Sequence, residues 1–384
     1  MIYLDNAATT LYKPNEVYLR SNEVFRLFSA NSGRSGHKAA LKAAEIVMQT
    51  RAAAAEFLGI KNIENIVFTF GCTDALNIAI KGLFYPGDHI ITTAYEHNSV
   101  LRPLEYLKNT IDIEYSILFP EENGNISPLQ IENAIKENTK AVIVNYVSNV
   151  TGQVQNIRGI SEICKKYGLL FLVDGAQAAG TQELHAQNMG IDYICCAGHK
   201  GLYGPQGIGI LAINDRSPLP RPLRHGGTGS HSLELIQPKE MPEYLESGTL
   251  ATQNIAALEK GILFVQENRS KILRHEQELA QLLRDGLADI PGIKIYSPSK
   301  MQSGVVAFNI RENDSALVAD LLDKQYSIAS RGGFHCAPMV HKYLGTETQG
   351  AVRLSLSVFN TKKEILTTIN AVSVDRKSAC RERV

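Results

Sequence analysis

Short runs of apolar, mostly β-branched residues alternate with longer stretches of helical periodicity up to about residue 255. The runs predict strands, and the stretches between them predict helices. Strands are expected at 66–70, 89–93, 140–145, 169–173 and 193–196. Because these runs are almost entirely apolar, both faces of their sheet must be covered. The pattern therefore predicts an α/β fold whose large domain has a mostly parallel sheet flanked by helices.

The pattern changes after residue 255. A long charged helix is expected over 254–287, followed by strands at 304–308 and 352–357 with a helix near 315–324 between them. This order of elements predicts a smaller α+β domain.

We place the large domain at 15–255 and the small C-terminal domain at 256–374, with residues 1–14 packing alongside the small domain. The segment 375–384 is polar and aperiodic, and we expect it to be disordered.

Length and charge limit the classes of function that the chain can have. With 384 residues and 44% hydrophobic content, the chain can bury the cores of two domains. Basic and acidic residues number 39 each, so no net charge attracts nucleic acid or an anionic membrane. No run of about 18 apolar residues predicts a membrane span, and no signal-peptide pattern opens the chain. We expect a soluble, cytoplasmic protein that acts on a small molecule.

The cysteines indicate neither a disulfide framework nor a metal site. They form no CxxC pair and no Cys/His spacing typical of zinc. Most are expected to be small apolar core residues. The six are Cys72, Cys164, Cys195, Cys196, Cys336 and Cys380.

The most informative pair is Asp174, which ends the strand at 169–173, and Lys200, which lies on a Gly-rich turn after the next strand. A carboxylate at the end of so apolar a strand is costly unless a cation pairs with it. Pyridoxal 5'-phosphate supplies one, since such sites use a lysine for the Schiff base and a carboxylate to keep the pyridine nitrogen protonated. The pair predicts a pyridoxal-phosphate site, although an Asp at this position also suits a helix N-cap.

Other polar residues follow the predicted strands. Gly71, Cys72 and Thr73 come after the strand at 66–70, where backbone N–H groups at a helix start suit a phosphate. His97 follows the strand at 89–93 and is placed to stack on a pyridine ring and to move protons. Asn149 follows the strand at 140–145 and is placed to bind cofactor or substrate. The alternatives are that Thr73 belongs to an ordinary helix N-cap, that His97 is a loop histidine, and that Asn149 only forms a turn.

Two residues of the small domain carry chemistry. Arg353 opens a predicted strand and suits bidentate capture of a carboxylate, and alternation places it with Ser355 and Ser357 on a polar face expected to be wet. Cys336 lies in a Gly-rich loop that ends at Pro338, where an exposed thiol is expected to be reactive. The alternatives are that Arg353 is a surface arginine and that Cys336 is a structural cysteine.

Together these motifs resemble the class V aminotransferase-fold family of pyridoxal-phosphate enzymes, and within it the cysteine desulfurases and selenocysteine lyases. The match runs from Leu4 to about Asn360. The resemblance implies a two-domain, fold-type I protomer and a homodimer with active sites at the interface.

The resemblance implies a role for each matching residue. Lys200 would form the Schiff base, Gln177 would contact the phenolic oxygen, and Thr249 would reach the phosphate of the partner subunit's cofactor. The full cofactor-binding set would be Lys200, Asp174, Gln177, Thr73, Cys72, His97, His199, Asn149 and Thr249. The catalytic set would be Lys200, Cys336 and His97. The substrate would be bound by Arg353, Asn149, Arg331 and Arg34.

The chain resembles the group of this family with a short cysteine loop, which implies dependence on a separate sulfur-acceptor protein. It departs from the family at Ala197, where many members have a serine, and at Gly201, which is an additional residue after the lysine. These differences suggest a divergent branch.

The resemblance implies conversion of L-cysteine to L-alanine, with transfer of sulfur to Cys336 as a persulfide. The alternatives are a selenocysteine lyase, another class V activity such as a transaminase or epimerase, and a non-enzymatic scaffold that binds the cofactor.

Overall fold

The computed structural model of the protein describes residues 1–33 and 35–378. The strands are β1 (Ile2–Tyr3), β2 (Ile66–Thr69), β3 (His89–Thr93), β4 (Glu114–Leu118), β5 (Thr139–Asn145), β6 (Leu170–Asp174), β7 (Tyr193–Ala197), β8 (Gly209–Ile213), β9 (Ile293–Ile295), β10 (Val305–Ile310), β11 (Ile328–Ala329) and β12 (Val352–Ser355).

The helices are α1 (Asn15–Leu27), α2 (Lys38–Leu58), α3 (Cys72–Leu83), α4 (Asn98–Ile111), α5 (Pro128–Asn133), α6 (Ile157–Tyr167), α7 (Ala186–Met189), α8 (Thr252–Ala288), α9 (Ser315–Tyr326), α10 (Pro338–Leu344) and α11 (Lys362–Ser378), with a short 3₁₀ helix at Ile63–Asn65. In the described part of the chain, no helix is both long and apolar enough to cross a membrane.

A seven-stranded sheet forms the large domain, with strand order β2-β8-β7-β6-β5-β3-β4. The neighbours from β7 to β4 pair in parallel, and β8 pairs antiparallel with both β7 and β2. The prediction of an α/β fold with a mostly parallel sheet flanked by helices is confirmed. The pattern of apolar runs does not predict β4, which lies at the sheet edge and is only half-buried.

The apolar character of the strands comes from cover on both faces. In β5, Val142 and Val144 pack into one hydrophobic cluster, whereas Ala141 and Ile143 pack into another. Because successive side chains point to opposite faces, a strand between two helix layers needs an apolar residue at every position.

The small domain has an antiparallel sheet with strand order β12-β10-β9. The first residues of the chain lie against it, because β1 pairs with β11 and Asp5 forms a bridge with Ser355. Helix α8 contributes residues up to Ile272 to a large-domain cluster and residues from Leu279 onward to the small-domain cluster. It therefore joins the two cores, and the division at residue 255 stays a prediction.

The end of the chain differs from the prediction. Helix α11 buries Ile365 and Val372 and continues to Ser378. The disorder expected for 375–384 is therefore wrong for 375–378, because the helix extends through them, and residues 379–384 lie outside the described part of the chain.

A buried acid lies at the domain junction. The Glu276 side chain from α8 is buried and makes no hydrogen bond within the described residues. It faces a cavity of about 40 Å³ that Ser303, Ser355 and Lys200 also line. Burial disfavours the carboxylate and raises the pKa of Glu276 to about 8.

This shift makes stability depend on pH. An unfolded glutamate releases its proton near pH 4.5, so between that pH and about 8 the folded chain holds one more proton than the unfolded chain. Stability therefore falls as pH rises across this window. Glu276→Gln should raise the Tm of the cofactor-free protein, with a gain over wild type that is small at pH 5 and largest above pH 8. Thermal unfolding from pH 5 to 9 measures this, and a gain that does not change with pH contradicts it.

Candidate active site

Six strands of the large sheet, all except β8, run in the same direction, so their carboxyl ends meet at one edge. Ligands of open α/β sheets bind at this edge. A cavity of about 490 Å³ lies there. Eight of the residues predicted from the sequence line it: Cys72, Thr73, His97, Asn149, Asp174, Gln177, His199 and Lys200.

Asp174, the last residue of β6, has one carboxylate oxygen engaged and one available. Its Oδ1 accepts the N–H of Ala176 at 2.9 Å and lies 3.5 Å from the thiol sulfur of Cys72. No donor among the described residues binds Oδ2. An unpaired carboxylate oxygen on a cavity wall suits a cationic ring nitrogen.

Lys200 follows β7 and lines the cavity. Burial lowers the pKa of Lys200, while the nearby Asp174 and Cys72 raise it and Arg353 and Arg331 lower it further. A lowered pKa increases the fraction of neutral amine, which is the form that acts as nucleophile and base.

Gly201 lies where two backbone segments approach closely. A Cβ atom on Gly201 would lie 2.1 Å from the carbonyl oxygen of Ala179. A Cβ atom on Gly180 would lie 2.0 Å from the carbonyl oxygen of Gly201. Only glycine fits at either position, so the turn after Lys200 packs directly on the turn after Asp174.

Donors converge at the start of α3. No side chain caps this helix at Gly71, and Thr73 is the second residue of its first turn. The Nδ1 atom of His199 is buried without a hydrogen-bond partner in the described residues. Burial, together with the charges of Lys200 and Lys13, lowers the pKa of His199 to about 4. A free helix start and a neutral imidazole suit a phosphate, whereas Ala197 contributes only a methyl group.

His97 is held in one orientation by α4, whose N-terminus it caps. Its Nδ1 accepts the N–H of Ser99 at 3.0 Å and lies 2.8 Å from the Ser99 hydroxyl. Burial lowers the pKa of His97, while Asp174 raises it and Lys200 lowers it. Since Nδ1 accepts a backbone N–H, the proton of the neutral ring lies on Nε2.

Ser99 is a site residue that the sequence pattern does not predict. Its hydroxyl lies 2.7 Å from that of Thr73 and so connects the start of α3 with His97. Glu96, which does not line the cavity, is a second residue near Asp174 that the pattern does not predict. It is fully buried, accepts from the hydroxyl of Thr93 at 2.7 Å and from the N–H of Asn145 at 2.9 Å, and burial raises its pKa to about 8. Glu96 and Ser99 follow the end of β3 by three and six residues, and this short separation from a strand end is the signal that could have identified both.

Arg353 lies beside this site but not on the cavity wall. Its guanidinium donates to Asp5 Oδ1 at 2.7 Å and to the carbonyl of Asn149 at 3.0 Å. Its Nε and the Oδ1 of Asn149 are buried without partners among the described residues. The expectation that Arg353, Ser355 and Ser357 form a wet face is wrong, because all three are buried where the two domains meet.

Cys336 also lies outside the cavity wall, on an exposed loop of the small domain. His335 and Cys336 have φ values of 47° and 55°. Residues with side chains pay roughly 1–2 kcal/mol each in this left-handed region. The surrounding contacts must therefore hold the turn that presents the thiol.

The other predicted residues are more distant or not described. Thr249 is exposed, and its hydroxyl accepts from the Asn31 side chain at 3.3 Å. It lies three residues after Glu246, which forms a buried ion pair with Arg51. Arg331 is bonded through its backbone to Arg353, and Arg34 lies outside the described residues. Within the described part of the chain, no group of three or more His, Cys, Asp or Glu side chains is placed to hold a metal ion.

Comparisons with known proteins agree at the levels of sequence and structure. The family model described as aminotransferase class-V matches residues 2–367. The chain is 32% identical over 372 residues to a protein of Methanothermobacter thermautotrophicus named "Probable cysteine desulfurase", over 95% of this chain and 92% of that protein. It is 30% identical over 374 residues to the cysteine desulfurase of Pectobacterium atrosepticum, over 95% and 90%. The apo structure of a cysteine desulfurase from Thermococcus onnurineus is similar with a TM-score of 0.92 and 33% identity, over 98% and 95%.

The exposure of the cysteines predicts their reactivity. Cys336 is exposed, whereas Cys72, Cys164, Cys195 and Cys196 are buried, and burial raises the pKa of each buried thiol. Iodoacetamide should therefore modify Cys336 in the native protein at least about tenfold faster than these four. Mass spectrometry of the digested protein over time measures each site separately. Equal rates at Cys336 and Cys72 would show that the cavity wall is open to solvent.

Proposed function

The chain belongs to the aminotransferase class-V family, and we propose that it is a pyridoxal-phosphate-dependent cysteine desulfurase that transfers sulfur from L-cysteine to Cys336. The observation that carries the proposal is the placement of an available Asp174 oxygen and a Lys200 with lowered pKa on one cavity wall. The exposed thiol of Cys336 lies outside this wall, but the Cys336 carbonyl accepts the N–H of Asn98, the residue after His97 of the wall. The names of the relatives support the same activity.

The residues of the cavity fit pyridoxal 5'-phosphate. Asp174 Oδ2 would accept from the ring nitrogen, His97 would stack on the ring, and Lys200 would form the covalent link. The phosphate would take the uncapped start of α3, with Thr73 and the unpartnered His199 Nδ1. Gln177, whose amide donates to the Ala7 carbonyl at 2.8 Å, has a second N–H for the phenolic oxygen. When bound, this cofactor stabilises negative charge at the substrate carbon next to its amine.

Arg353, Asn149 and Arg331 would bind the substrate, with Arg34 as a further candidate. The Nε of Arg353 is an unpaired charged donor and the Oδ1 of Asn149 is an unpaired acceptor, and these two atoms suit the carboxylate and the ammonium group of an amino acid. Asp5 and the Asn149 carbonyl fix the guanidinium, so little side-chain entropy remains to be lost on binding.

Lys200 and His97 would move the protons. The neutral amine of Lys200 would accept the α-proton of L-cysteine, and its lowered pKa favours that form. His97 carries its proton on Nε2 and would exchange it with a substrate atom, while Ser99 holds the other ring nitrogen.

Sulfur transfer balances without a further oxidant. The Cys336 sulfur attacks the sulfur of L-cysteine, an S–S bond forms, and the Cβ–S bond breaks. The electron pair of that bond stays on carbon, which is reduced and takes one thiol proton to become the methyl group of L-alanine. The other thiol proton stays on the Cys336 persulfide, whose two sulfurs are correspondingly oxidised.

A homodimer fits the exposed surface around Thr249 and the cavity mouth. Leu233, Leu235 and Ile236 lie in one loop and are 99%, 104% and 70% exposed, and Phe70 at the cavity rim is 72% exposed. Large apolar side chains this exposed indicate an interface. We propose that they meet a second copy of the chain and that Thr249 reaches the phosphate in the partner's site. A sulfur-acceptor protein would then approach the exposed Cys336.

Turnover tests the proposed activity. With pyridoxal phosphate and a thiol reductant under anaerobic conditions, the wild type should convert L-cysteine to alanine and sulfide. Cys336→Ala should lose at least about 100-fold of this activity because the sulfur has no positioned acceptor. Lys200→Ala should lose both the activity and the visible absorbance of the bound cofactor.

The same assay with L-selenocysteine separates the alternatives. Alanine formed from selenocysteine alone would replace the desulfurase by a lyase, and full activity of Cys336→Ala on cysteine would make the thiol incidental. Absence of the Schiff-base absorbance band after cofactor addition to the wild type would favour the non-enzymatic scaffold.

Thr249 tests the dimer. Thr249→Val, which has nearly the same shape without the hydroxyl, should weaken pyridoxal-phosphate binding roughly tenfold, while Thr249→Ser retains most of the affinity. Absorbance titration measures the affinity, and sedimentation velocity measures the oligomeric state. A monomer whose affinity is insensitive to Thr249→Val contradicts the shared site.

A further inference from the structure

Two hydrogen bonds join the cysteine loop to the large domain. The backbone N–H of Asn98 donates to the carbonyl of Cys336 at 2.7 Å. The side-chain amide of Asn149 donates to the carbonyl of His335, also at 2.7 Å. We call these two bonds the latch. They bind two successive carbonyls, those of the two residues with positive φ.

The donor at Asn98 comes from a position that usually has no protein partner. Asn98 is the first residue of α4, and the first N–H groups of a helix have no acceptor within it. Here the acceptor is the carbonyl of Cys336. Because His97 immediately precedes Asn98, this bond sets the nucleophile's backbone at a fixed separation from the active-site histidine.

Contacts within the small domain have a different effect. His335 is buried, and burial together with the charge of Arg353 lowers its pKa to about 2, so its neutral ring donates through Nε2 to the Ala351 carbonyl at 2.9 Å. The N–H of Gly333 donates to the Ser315 hydroxyl at 2.9 Å. These bonds fix the shape of the loop within the small domain, whereas the latch bonds the loop itself to the large domain beside the cavity.

We propose that the latch positions the Cys336 thiol for sulfur transfer and that Asn98 acts as a positioning residue through its backbone N–H. The proposal rests on the proposed desulfurase function. It separates two parts of the reaction, because the steps at the substrate α-carbon use Lys200 and do not need the thiol, whereas sulfur transfer needs the thiol at one place.

Asn98→Pro removes the N–H and places the proline Cδ atom where the hydrogen bond to the Cys336 carbonyl runs, so it breaks this bond and displaces that carbonyl. Proline is well tolerated at the first position of a helix, and His97 has φ −70° and ψ 155°, the extended conformation that a residue before proline prefers. Persulfide formation on Cys336 from L-cysteine should be slowed roughly 10- to 100-fold, the usual cost of misplacing a reacting group by about 1 Å. The cofactor absorbance and the exchange of the α-hydrogen of L-alanine in D₂O should match wild type.

Asn98→Ala is the matched control, because it keeps the N–H and removes only a side chain that makes no hydrogen bond in the described residues. Rapid-quench mass spectrometry of the Cys336 peptide measures the persulfide, and NMR measures the exchange. A wild-type rate of persulfide formation in Asn98→Pro, or equal slowing in Asn98→Ala, overturns the latch. Loss of α-hydrogen exchange together with the persulfide assigns Asn98 a purely structural role.

Hydrogen exchange of the wild-type Asn98 amide tests the latch without turnover. The bond predicts exchange at least about 100-fold slower than that of an unstructured amide, and exchange at the unstructured rate overturns it. Failure of the wild type to form alanine from cysteine would instead remove the proposed function, and the amide measurement would still decide whether the latch exists.

Discussion

The carboxylate of Asp174 is the group on which the site depends. It ends a strand covered on both faces, with a neighbouring parallel strand on each side, so bulk water cannot solvate it. A charge in that place needs a counter-charge, and the structure leaves one oxygen for it. The other polar groups of the cavity stand at the ends of neighbouring strands because the sheet directs them all to the same edge.

Much of this arrangement can be predicted from the sequence because strand periodicity and strand ends are local properties. Apolar runs locate most strands of the large sheet, and the polar residues that follow them line the cavity. The prediction fails where burial is set by distant packing. Alternation alone predicts that Arg353 and Ser355 lie on a solvent-exposed strand face, but the first residues of the chain cover them. Helix α11 continues where composition alone suggests disorder.

Contacts made by the backbone are the part that no residue pattern encodes. Any residue except proline at position 98 would supply the N–H that binds the Cys336 carbonyl, so the residue type at this position gives no sign of the bond. The thiol and the imidazole come from different domains, and their relation depends on how β12, the N-terminal segment and α8 hold those domains together. The buried Glu276 lies at the same junction, so the packing of the two domains there also affects where the nucleophile lies.

The glycine contact between the turns that carry Asp174 and Lys200 has an evolutionary consequence. Neither Gly180 nor Gly201 can gain a side chain while the other turn keeps its place. A related chain with a side chain at either position must rebuild both turns at once, so positions 180 and 201 should covary among related chains. The two glycines are therefore required by how the two turns pack and not by the chemistry of the site.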